Sequence, residues 1–102
     1  MKVLEKDQRD RIEDKVREYL KSELKENPRL GVILMDPENL EHVVRIGGSI
    51  LSAKWELGPP PGSFVQAVVD NDLMGAFSRA DHINKEFIGF YCKLVYNTSY
   101  IY

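Results

Sequence analysis

Cysteine is almost absent from this chain of 102 residues: Cys92 stands alone. No internal disulfide can form, and the domain must be held by its core in a reducing setting. Histidine is nearly as scarce, with two residues. A metal site would have to lean on carboxylates, and no ligand pair has the spacing that zinc uses, so neither metal nor cofactor is expected. No run approaches the ~18 apolar residues of a membrane span. Charged residues, not an apolar signal core, follow Met1, so the expected location is the cytoplasm, away from membranes. The net charge of −2 lacks the basic excess of a nucleic-acid binder. There is no P-loop and no G-x-G-x-x-G, and Gly58-Pro-Pro-Pro-Gly62 is a turn device.

The chain has enough apolar residues, 43%, for one core and one domain. Charge is uneven along it. Residues 1–57 hold 11 of the 14 cations and 12 of the 16 anions. Outside the lightly charged C-terminal part only Tyr19 and Trp55 are aromatic, so residues 58–102 should be the more buried. Ile12, Val16, Tyr19, Leu20 and Leu24 recur at spacings of three and four, which predicts a helix over 5–26 with one narrow apolar stripe. Asn27-Pro28 ends it, since the residue before proline is pushed out of the helical region. Residues 30–35 are short, apolar and β-branched. With no partner strand in view they read as an extended crossover, open to pairing with another subunit.

Asp36-Pro37 is a helix start, with Asp as N-cap and Pro at the first helical position. Leu40, Val43, Val44, Gly47, Leu51 and Trp55 share one face across the Gly47-Gly48 pair. One helix therefore continues to Leu57, with Gly47 allowing a close approach. His42, Arg45, Ser49, Ser52 and Glu56 fall on the opposite, polar face, where a solvated His42 is expected. Ser63-Phe-Val-Gln66 has the form of a capping box. Asn71 suits the left-handed conformation that ends this short helix, and Asp72 can cap the next. Asp81 opens a last helix to Asn97. Ile83, Phe87, Phe90, Tyr91 and Leu94 form its main stripe, and Ile88, Cys92, Val95 and Tyr96 a second. Two apolar stripes on one helix of a small domain predict burial on two sides, the second in a homo-oligomer. The expected fold is all-α, a bundle of about five helices.

Asn71, Asp72, Arg79, Asp81 and Asn84 gather the uncommon polar chemistry. One reading is structural: helix caps and an Arg79–carboxylate pair at a helix corner. The other is recognition of an anion, with the Arg79 fork for phosphate, Asn and Asp for hydroxyls or base edges, and Tyr96 or Trp55 for stacking. Pro61-Gly62-Ser63-Phe64, Asn71-Asp72-Leu73, Arg79-Ala80-Asp81-His82-Ile83-Asn84 and Tyr96-Asn97 together resemble small, mostly uncharacterised bacteriophage proteins over residues 60–97. The resemblance implies a counter-defence protein that sequesters a nucleotide-derived immune signal without catalysis. The ligand-binding residues would then be Asn71, Asp72, Arg79, Asp81, Asn84 and Tyr96. Two alternatives stay open, an inhibitor of a host defence enzyme or nuclease acting through the first helix, and an enzyme that degrades the signal.

Overall fold

A computed structural model describes residues 5–98, and among these the chain is helical with no strand. Seven helices follow one another: α1 (Lys6–Glu26), α2 (Pro28–Ile33), α3 (Pro37–Lys54), α4 (Ser63–Val69), α5 (Leu73–Arg79), α6 (His82–Glu86) and α7 (Ile88–Asn97). About five were expected. Residues 30–35 are the first correction. Pro28 occupies the first position of a helical turn, and Leu30 and Leu34, four apart, are buried while Val32 between them is exposed. A short apolar run reads equally as strand or helix by periodicity. With no neighbouring strand, only a helix satisfies its own backbone.

The second correction is at the C-terminal end, where the single helix expected from Asp81 to Asn97 divides at Phe87. There the Phe87 N–H bonds the Asn84 carbonyl, three residues back, which tightens the chain into a turn. The capping box expected at Ser63 is also absent. Gly62 is the N-cap and Ser63 already helical, while Gln66 Nε2 donates forward to Asp70 Oδ1 at 2.9 Å.

α3 is capped as its sequence indicates, with Asp36 Oδ1 accepting the Glu38 N–H at 2.9 Å. It runs through both glycines but stops at Lys54, short of Leu57. Leu57 N–H reaches back to the Ser52 carbonyl and Glu56 N–H to that of Ala53, the paired bonds of a Schellman stop. The left-handed residue in that stop is Glu56, at φ 57°. Asn71 ends α4 in the same conformation, at φ 62°, as expected.

The core lies where α1, α3 and α7 cross. Val16, Val43, Val44, Ile50, Leu51, Phe87, Tyr91 and Leu94 are almost fully removed from solvent. Gly47 makes the crossing possible: a Cβ there would stand 2.6 Å from Val16 Cγ1 and 3.2 Å from Leu94 Cδ1. Polar clasps hold α7 to the N-terminal part. Lys93 Nζ reaches Glu23 Oε1 of α1 at 2.8 Å, and Tyr19 Oη–H donates to the Asn97 carbonyl at 3.4 Å. From α3, Lys54 Nζ donates to the carbonyls of Val95 and Thr98, a cation on the negative end of a helix.

The second stripe of α7 corrects the expected oligomer contact. Ile88 is only 3% exposed, and Cys92 and Val95 pack against the same core. Ala67 and Val68 of α4 and Leu73 and Ala76 of α5 fold over the Ile88 and Cys92 part of the stripe. Burial also raises the Cys92 thiol above its ordinary pKa, in keeping with a packing role. Of that stripe only Tyr96 stands out, at 75% exposure. The other large apolar side chains at the surface lie elsewhere, Leu73, Met74 and Phe77 on α5 and Val32 and Met35 at the end of α2.

Candidate functional site

The polar residues singled out by sequence fall into three places. Asp72 caps α5, its Oδ1 accepting the Gly75 N–H at 2.9 Å. Arg79, two turns on, folds back so that Nη1 lies 3.8 Å from Asp72 Oδ2. Gly75 is what lets it do so, because a Cβ there would overlap both the carboxylate and the guanidinium. Both partners are about half exposed, so the pair contributes at most about 1 kcal/mol. Asn71 turns the chain beside them, next to a small apolar cavity of about 20 Å³ that Cys92 also lines. Tyr96 stands alone on α7.

Asp81 and Asn84 belong together, and with a residue from α3. Asp81 Oδ1 accepts the Asn84 N–H at 2.7 Å, and its Oδ2 lies 2.9 Å from His42 Nε2. Asn84 is 4% exposed, and its Oδ1 accepts the Tyr91 hydroxyl at 2.8 Å. His42, expected on a solvated face, is the residue that meets Asp81. Burial pushes the Asp81 carboxyl up, but the Asn84 N–H and the His42 ring together outweigh it, leaving it below its ordinary value. Tyr91 is pushed well above its usual range by burial and by the nearby Asp81 carboxylate.

A depressed carboxyl contributes stability above its unfolded value of about 3.9 and loses it as pH falls through the folded value. Asparagine caps a helix as well as aspartate does, so Asp81→Asn removes the carboxylate that His42 meets and keeps the cap. Wild type should melt higher than Asp81→Asn at pH 7, and the difference should shrink as the pH falls below about 3.9. A difference that persists undiminished at pH 3 would show that the contact is not electrostatic.

A better-formed recess lies along the polar face of α3. It is a cleft of about 360 Å³ between the start of α1, the middle of α3 and the Pro59–Gly62 bridge. Arg9 and Arg45 line it from opposite helices, Ser49 and Ser52 supply hydroxyls, and Gly48 leaves the floor open. Ile12 and Leu57 give it an apolar base and the three prolines one wall. Among the described residues neither Arg9 nor Arg45 has a carboxylate within ion-pair distance. The carboxylate in the lining, Glu13, lies 4.0 Å from Arg17, which also reaches Glu41 at 3.7 Å. Two guanidinium forks, two hydroxyls and a flat apolar wall are the groups that hold an anion attached to a ring. Trp55 sits on the far side of the proline bridge, in a neighbouring depression.

Sequence reading placed Arg45, Ser49 and Ser52 on one polar face but took that face for solvent. The signal that it is partly covered was the stiff proline bridge leaving the helix end, which has to run back along some face of α3. No group of three or more metal-ligating side chains occurs among the described residues, and no helix among them is long and apolar enough to cross a membrane. No family model, no curated protein and no solved structure matches this chain.

Proposed function

We propose that this protein binds a nucleotide-like anion and sequesters it without turnover, as a phage counter-defence protein acting in the host cytoplasm. The observation that carries the binding part is the cleft that Arg9 and Arg45 both line, neither with a carboxylate partner among the described residues. The viral part rests on the resemblance over residues 60–97. The seat of binding shifts from the cluster around Arg79 to the α1–α3 cleft, because Arg79 is folded onto its own Asp72 while Asp81 serves α6 and His42.

Calorimetric titration against cyclic dinucleotides, cyclic ADP-ribose isomers and mononucleotides tests the reading. At least one compound should bind and be recovered unaltered. Arg45→Ala should weaken it at least tenfold, since a charge-assisted contact contributes about 1.5–3 kcal/mol, and should leave the melting temperature in place because Arg45 is exposed. Binding that survives Arg45→Ala returns the site to Arg79. Release of cleaved product transfers the protein to the enzyme class.

A second reading has its own observation. Leu73, Met74 and Phe77 present an apolar face on α5, with Met74 84% exposed. Such a face suits a macromolecular partner, either another copy in the expected homo-oligomer or a host defence enzyme that the protein would inhibit. No binding of any small molecule, together with stoichiometric capture of a host enzyme that Met74→Glu abolishes, decides for inhibition.

A further inference from the structure

The cleft does not end at Arg45. A second, wider depression of about 580 Å³ lies along the first half of α3, and Arg45 lines both. We propose that the two are one groove joined at Arg45, and that it takes a ligand with two phosphate-bearing units, a dinucleotide in place of a mononucleotide. The proposal rests on the binding reading above and names the ligand class for the same site.

Three observations support it. His42, Arg45, Ser49 and Ser52 follow one another at spacings of three, four and three, which keeps them on one face of α3. From His42 to Ser52 that row extends about 15 Å at ~1.5 Å per residue, more than one phosphate and its guanidinium fork occupy. Two of the three carboxylates lining the second depression are engaged, Asp81 with His42 at 2.9 Å and Glu41 with Arg17 at 3.7 Å. His42 meets Asp81 through Nε2; Nδ1 has no partner among the described residues, and in the protonated ring its N–H donates to a phosphate oxygen. Glu38 stands a turn beyond His42, toward the helix start. An anionic ligand would therefore stop at His42.

The chain holds only two histidines, so their imidazole proton signals can be followed individually by NMR, with His42→Gln assigning them. The probes are a mononucleotide (AMP or GMP) and the linear dinucleotide of the same base (pApA or pGpG). The dinucleotide should bind at least tenfold more tightly than the mononucleotide and move the His42 signal while His82 stays in place. His42→Gln should abolish the tenfold preference. Equal affinity for the two probes, or a bound dinucleotide with an unmoved His42 signal, overturns the joined groove and leaves the cleft reading standing. Failure of both probes to bind overturns both.

Discussion

Replacing Tyr91 by alanine should remove about 3–5 kcal/mol of stability, as deletion of a large buried ring does. For a domain of this size the whole margin is about 5–15 kcal/mol, so the variant should be partly unfolded at 37 °C. Tyr91 is fully buried. Its ring meets Phe64 edge-on and lies tilted against Phe90, both with centroids 5.9 Å away.

Tyr91→Phe separates the ring from the hydroxyl. It keeps the packing and strands the buried Asn84 Oδ1, which costs about 1–3 kcal/mol. The consequence passes on to the proposed groove, since Asn84 and Asp81 are the first turn of α6 and Asp81 steadies His42. Thermal melting and the His42 NMR signal should both change in Tyr91→Phe. An unchanged melt would mean that Asn84 finds another donor.

Gly47→Ala should lower stability by as much as about 2 kcal/mol, although alanine is the better helix former. The propensity gain is about 1 kcal/mol, whereas overfilling a packed crossing costs about 1–3 kcal/mol. The atom in the way is a branched Val16 methyl at 2.6 Å on a neighbouring helix, which cannot swing aside. Gly48→Ala is the contrast. Its Cβ would meet Glu13 Cγ at 3.3 Å, on a flexible side chain that can shift. That variant should melt at or above the wild-type temperature yet bind ligand less well, because the methyl enters the cleft. Two neighbouring glycines thus divide their places, one in the core and one in the proposed cleft. A Gly47→Ala protein that melts higher than wild type would show that α1 and α3 can move apart.

These two glycines also mark where the sequence was legible and where it was not. Apolar spacing placed Gly47 on the buried face of one continuous helix, and the structure agrees. Asp36, Asp72, Asn71 and Asp81 were likewise readable as caps and stops, because a cap depends on residues within one turn of itself. Ser63 misled for the same reason: the motif is local, but the chain enters α4 from a proline bridge that starts the helix one residue earlier. Residues 30–35 misled because strand and helix differ there only by what lies alongside. The meeting of His42 with Asp81, 39 residues apart, and the sharing of one cleft by Arg9 and Arg45 are properties of how α1, α3 and α6 pack. No spacing along one helix encodes them.

The clasps between α7 and the first half of the chain bear on how the protein comes to be folded. Lys93 and Glu23 are 70 residues apart, and Tyr19 and Asn97 are 78 apart. Helical bundles usually fold fast because their contacts are local, and loop closure across most of a chain slows that rate. During synthesis α1 and α3 emerge with Val16, Val43 and Leu51 still lacking the side chains of α7 that cover them. The nascent chain therefore carries an uncovered apolar seam until its last helix arrives. Chains stopped before Ile88 should accumulate in aggregates or on chaperones instead of as smaller folded domains.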